Sequence, residues 1–182
     1  MSVAPDLIDP VLGFRAFEVG PDRLLRSPRV KGWVWKPGRV TARCRQTRLT
    51  GWVTHIAPGR NCTCGLYAYS ELDRRLEDGP WCIAAIAAWG EMELHQSGFR
   101  TQHACAVALA AAPDVDLAGR ELIVDTAEHY GVGAVPLRKL SEEGSRFARP
   151  ISTVLTQPKR PRGLRLRSRR SEPTEPTFLE LA

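Results

Sequence analysis

Four residues with the chemistry of metal ligands fall within 21 positions of one another: Cys44, His55, Cys62 and Cys64. Thiolate and neutral imidazole are the donors Zn²⁺ prefers, and four of them make a closed tetrahedral site. The Cys62-Thr63-Cys64 spacing is one residue tighter than the common Cys-x₂-Cys. It works if Thr63 turns away while both thiolates face one ion. Between His55 and Cys62, Pro58-Gly59 supplies a turn that brings the chain back toward the metal. A closed site of this kind is structural, so that ion binding contributes directly to folding. Two other readings compete with it. The cysteines are unconnected free thiols, or Cys64 is a nucleophile with a histidine base, a role that a metal would pre-empt by taking the thiolate.

The remaining candidates are weaker. Cys82 and Cys105 sit in apolar surroundings and read as core residues. His95 and His103 lie on the two arms of a hairpin expected below, where they could face each other with Glu91 or Glu93 beside them. Half-exposed strand histidines account for them as well, and His129 fits the C-terminal end of a helix through its dipole alone. No serine stands in a nucleophile elbow and no glycine-rich phosphate loop occurs, which points away from an enzyme. Trp33, Trp35, Trp52 and Trp89 could stack on bases, but their surroundings read as core.

Strands should position most of these groups. Residues 11–19 alternate loosely, and Gly20-Pro21-Asp22 reads as a turn. A second strand surrounds residues 30–35 and ends at Lys36-Pro37-Gly38, and a third over 40–44 delivers Cys44. Residues 66–69 form a short aromatic run. Residues 70–77 predict a brief helix with Ser70 as N-cap and Asp73 at the reciprocal position. Residues 81–95 and 99–107 predict a long core hairpin turning at Gln96-Ser97-Gly98, with Gly90 as a bulge or bend. The clearest helix is Leu117–Tyr130, with Leu117, Ile123 and Ala127 able to share a face and Gly131 as its stop. Residues 132–137 read as an edge strand.

At 182 residues and 43% hydrophobic composition, the chain is long enough for one core domain and a tail. No run of about 18 uncharged apolar residues exists, so no membrane helix is expected. The first residues lack the basic start and apolar stretch of a secretory signal, and a cytoplasmic protein is the expectation. In that reducing compartment five cysteines read as thiols or metal ligands before disulfides. The formal charge of +6 is uneven, with +4 in residues 158–182. Only four of the 26 basic residues are lysines. This arginine bias is common in high-GC genomes and weakens arginine richness as evidence of a nucleic-acid partner. The segment carrying Lys159, Arg160, Arg162, Arg165, Arg167, Arg169 and Arg170 cannot build a core and is expected to be disordered. It reads either as an electrostatic arm for DNA or RNA or as a solvated tail. Phe178-Leu179-Glu180-Leu181 adds an apolar tip that could dock on a protein.

The pattern Cys44…His55-x-x-Pro58…Cys62-x-Cys64-Gly65-Leu66-Tyr67-Ala68, together with Trp89-Gly90…His95-x-x-Gly98-Phe99-Arg100, resembles a group of small uncharacterised proteins of high-GC Gram-positive bacteria. An opening like Gly13-Phe14-Arg15-Ala16-Phe17 is also similar, and the likeness covers about residues 12–110. It implies that Cys44, His55, Cys62 and Cys64 act together and keeps a role for His95 open, and it transfers no activity. The sequence therefore predicts an α+β fold with a mainly antiparallel sheet and one or two helices, stabilised by zinc. A domain over residues 1–155 would precede a disordered basic tail over 156–182. The expected function is a non-enzymatic zinc-binding regulatory or binding protein acting on nucleic acid or a nucleic-acid-bound complex. The alternatives are a protein-interaction module using its C-terminal tail, or a small metal- or cysteine-dependent enzyme.

Overall fold

Residues 82–88 contain no charge and are almost completely buried, and the fold is built around them. The structure, a computed structural model, describes residues 9–44, 55–77 and 81–151. In chain order these form β1 (Val11–Val19), β2 (Leu25–Arg26), β3 (Val34–Trp35), β4 (Val40–Thr41), β5 (Leu66–Tyr69), α1 (Arg74–Glu77), β6 (Cys82–His95) and β7 (Gly98–Ala111). They are followed by α2 (Leu117–Tyr130), β8 (Gly133–Ala134), a 3₁₀ turn (Leu137–Lys139), α3 (Leu140–Gly144) and β9 (Arg149–Pro150). The expected α+β architecture with a mainly antiparallel sheet is what forms. Among the described residues the α-helices number three, of which only α2 exceeds five residues.

The expected hairpin is the longest pairing among the described residues. β6 and β7 run antiparallel from Cys82↔Ala111 to His95↔Gly98. The register shifts twice, and the second shift, between Trp89 and Met92, contains Gly90 at φ 82°. There an L side chain is disfavoured and the extra residue bends the ladder, as the sequence suggests. β1 pairs with β6 over Val11–Phe17, and at Phe14↔Tyr69 it also meets β5. β5 in turn pairs with β7. The hydrogen bonding thus returns to its start through β1, β6, β7 and β5, closing a small barrel-like circuit that hides these edges. Phe14, Phe17, Trp35 and Phe99 are buried in the core, with Phe17 and Trp35 edge-to-face at 5.0 Å.

Several local expectations shift. The helix expected at 70–77 begins later, at Arg74. Ser70 does not cap it: its N–H and hydroxyl both donate to the Ser97 carbonyl, at 3.1 and 3.3 Å. Asp73 takes the N-terminal role instead, accepting the Arg75 N–H at 2.9 Å. Helix α2 has the predicted bounds, is capped by Asp116 and ends at Gly131 in the left-handed region. Its buried face is Ile123, Thr126 and Ala127, whereas Leu117 is 73% exposed. The first turn therefore does not carry the core. The strand expected at 132–137 narrows to β8, parallel to β7, and that around 30–35 narrows to β3. Trp35 is core, Trp33 and Trp89 are partly buried, and Trp52 lies outside the described residues. Cys82 is core as expected, while Cys105 is only partly buried. The basic tail over 156–182 lies outside the described residues. Among the described residues no helix is long and apolar enough to cross a membrane.

Candidate metal centre

Two strands abut end to end along one edge of β7, and the candidate ligands lie where they meet. β4 pairs with His103 and Ala104, and Ala42 continues the ladder by donating to the Gln102 carbonyl at 2.7 Å. Two residues later the chain leaves as Cys44. It returns through Cys62-Thr63-Cys64-Gly65 to enter β5, whose Leu66 pairs with Thr101. The departing and returning ends are therefore held side by side by one strand.

Cys44, His55, Cys62 and Cys64 come together, with one donor atom from each lying within 4.8 Å of all the others. The Cys44 and Cys62 sulfurs are 3.6 Å apart, and His55 Nε2 is 3.1 Å from Cys64 Sγ. A tetrahedral ion with metal–sulfur bonds of about 2.3 Å has sulfur–sulfur edges of about 3.8 Å. The Cys44–Cys62 separation is close to that edge, and with all four donors within 4.8 Å of one another the residues can hold a metal ion. Cys44 is buried, and His55, Cys62 and Cys64 are partly buried.

The backbone around the ligands is tightly specified. The Gly59 N–H donates to Cys64 Sγ at 3.3 Å, and the Cys62 N–H donates to the Gly59 carbonyl at 3.1 Å. A side chain at Gly59 would strike the His55 ring, since its Cβ would lie 2.5 Å from Cδ2. The ligand loop packs against Arg100 of β7, which is only 4% exposed. Its guanidinium donates to three loop carbonyls: those of Gly59 and Cys64 at 3.0 Å each, and that of Cys62. Glu93, across the hairpin, accepts from Arg100 Nη2 at 2.5 Å and from Nε at 3.2 Å. Thr63, between the two cysteines, is exposed, and its carbonyl accepts the Tyr67 hydroxyl at 2.6 Å. Arg100 belongs to the motif noted in the sequence, but its role is not legible there. The only hint is a charged residue between the apolar Phe99 and the β-branched Thr101.

The electrostatics of the cluster favour a cation. Burial opposes ionisation of Cys62, but the Cys64 N–H, the neighbouring thiols and the Arg100 charge outweigh it, leaving its pKa below the ordinary thiol value. Cys64 is pushed up to about 11, first by burial and then by Cys62 and Cys44, against the Gly59 N–H. One thiolate thus forms at the expense of the next. A divalent ion would relieve this conflict, because coordination favours all three thiolates at once.

His95 and His103 do not face each other. The register sets His95 opposite Gly98 and His103 opposite Trp89. His95 Nε2 lies 3.6 Å from Glu93 Oε1, whereas His103 Nδ1 lies 3.0 Å from Thr41 Oγ1. The paired-histidine reading fails because the tight turn at Gln96-Ser97 sets His95 against Gly98, whereas His103 lies further down β7, past the bulge at Gly90, against Trp89. The candidate nucleic-acid ligands Lys159, Arg160, Arg162, Arg165, Arg167, Arg169 and Arg170 lie outside the described residues. No protein-family model matches the chain, and comparisons with curated proteins and with solved structures return no significant match.

Proposed function

We propose that this chain is a non-enzymatic, zinc-stabilised binding or regulatory protein of the cytoplasm, acting on nucleic acid or on a nucleic-acid-bound complex. The observation that carries the zinc reading is the donor set: three sulfurs and one imidazole within 4.8 Å of one another. Zn²⁺ favours those donors, and a four-ligand set leaves no coordination position for a substrate, which is the mark of a structural site. When bound, the ion would cross-link the end of β4 to the start of β5. The protein's own contribution is to hold the loop: Arg100 fixes three carbonyls, and Gly59 leaves room for the His55 ring. The nucleic-acid reading draws on the arginine-rich segment from Lys159 to Arg170, in which each cation near a phosphate would release counterions.

Metal content and zinc-edge X-ray absorption test the first part, on protein purified without added metal and on Cys64→Ala. One zinc per chain with three sulfurs and one nitrogen, lost in the variant, is the expected result. Protein without metal, or zinc carrying a bound water, would overturn it. For the second part, oligonucleotide binding should weaken steeply with salt and weaken further when residues 158–182 are deleted.

A further inference from the structure

Between Arg23 and Ser70 the chain has ten lysines and arginines and no aspartate or glutamate. This stretch carries β2, β3, β4 and all four candidate metal ligands, so the modest net charge of the chain conceals a strongly cationic segment inside the domain. Within it, residues 39–44 alternate strictly. Arg39, Thr41 and Arg43 are exposed, while Val40, Ala42 and Cys44 are buried. The two arginines flank Thr41 on the outer side, about 13 Å apart along the strand. Neither has an ion-pair partner among the described residues.

Thr41 is the end of a row that crosses three strands. It pairs with His103, and His103 pairs with Trp89. The imidazole and indole rings are 5.9 Å apart and tilted by 32°, and both residues remain partly exposed. Gly90 follows Trp89 in the bulge, where a Cβ would lie 2.9 Å from His103 Cδ2 and 2.7 Å from Gln102 Oε1. Glycine there keeps the flank of the ring pair clear. Burial and then the nearby Arg39 charge lower the His103 pKa, which favours the flat neutral ring that stacks best beside a cation.

We infer that the Thr41–His103–Trp89 row, flanked by Arg39 and Arg43, is a binding surface for single-stranded nucleic acid. A base stacks on the Trp89–His103 pair, and the phosphates on either side meet the two arginines. Aromatic rings on a sheet face with neighbouring cations are how sheet-based modules hold unpaired strands. A duplex, whose bases cover one another, offers the rings no face. The inference rests on the nucleic-acid reading proposed above, but it assigns the contact to the folded domain and not to the tail.

The test uses the full-length chain and fluorescence anisotropy with labelled oligothymidylate and oligouridylate of about 16 nucleotides, each compared with its duplex; the two arms distinguish DNA from RNA. Arg39→Ala combined with Arg43→Ala alters exposed side chains only. It should weaken binding at least about tenfold and reduce the slope of log affinity against log salt by about 1.4, two phosphate contacts on a single strand. Trp89→Ala should weaken binding about 5- to 150-fold with the slope unchanged, and Trp89→Phe should restore most of the loss. Unchanged affinity in the arginine variant would overturn the inference, and so would equal affinity for the duplex. If binding then disappeared when the seven tail cations were replaced by glutamine, the nucleic-acid reading would survive without the sheet surface. If the wild-type chain bound no oligonucleotide, both would fall.

Discussion

Arg100 reaches the ligand loop from the neighbouring strand β7. Its planar fork reaches three carbonyls while Glu93 holds the other side, an arrangement that a lysine cannot reproduce with one ammonium group. Outer-shell partners of this kind typically change metal affinity by about 10- to 100-fold. Arg100→Lys should lower zinc affinity by that factor in a chelator competition while leaving the far-ultraviolet circular dichroism unchanged. Unaltered affinity would show that the clamp is irrelevant to the metal. Gly59→Ala acts on the same site from the other side, since the added methyl must displace the His55 ring. It should leave three sulfurs in the zinc-edge spectrum and lose or lengthen the nitrogen contribution. Both effects were invisible in the sequence: the first depends on where a remote strand passes, the second on how the loop folds His55 back over Gly59.

The β6–β7 hairpin is the element on which the rest is assembled, and its tip is closely packed against β5. A Cβ on Gly98 would stand 2.1 Å from the Ala68 carbonyl oxygen and 2.9 Å from Tyr69 Cα. Because the obstruction is backbone, no rotamer can relieve it. Gly98→Ala should therefore cost about 3 kcal/mol or more, at the upper end of overpacking effects, measured as a shift in the urea midpoint. Stability within 1 kcal/mol of wild type, well inside that estimate, would mean β5 is not held as described. Helix α2 offers a milder test. Asp116 accepts the Gly119 N–H at 2.8 Å, and Asp116→Ala should cost about 1 kcal/mol. The hairpin was legible because alternation and a Gln-Ser-Gly turn are local signals. So was α2, through its length and its Gly131 stop. The late start of α1 was not, since Ser70 prefers a carbonyl at the hairpin turn, 27 residues away, to capping the helix that follows.

At the scale of the molecule, two closures lie next to each other. One is the strand circuit through β1, β6, β7 and β5. The other is the metal centre, which would join the chain leaving β4 to the chain entering β5. Removing zinc by chelation should lower the melting temperature without abolishing the fold, because the buried core around Phe14, Phe99 and Ile83 lies on the strands themselves. Complete unfolding of the metal-free protein would place the ion at the centre of folding. Acid should act in the same direction. Bound thiolates carry fewer protons than the unfolded cysteines, so the zinc contribution is present at higher pH and is lost as pH falls. The melting-temperature difference between zinc-loaded and metal-free protein should shrink on acidification.

The choice of the four candidate ligands, the long hairpin and the main helix could be read from the sequence alone. Sulfur and imidazole announce their coordination chemistry wherever they stand, and the periods of strand and helix are properties of neighbouring residues. The closure of the circuit, the clamp of Arg100 on the ligand loop and the row from Thr41 to Trp89 were decided only by the tertiary structure. Each brings together groups separated by dozens of residues, and strand partners are selected by the packing of the whole core, which no short stretch of sequence contains.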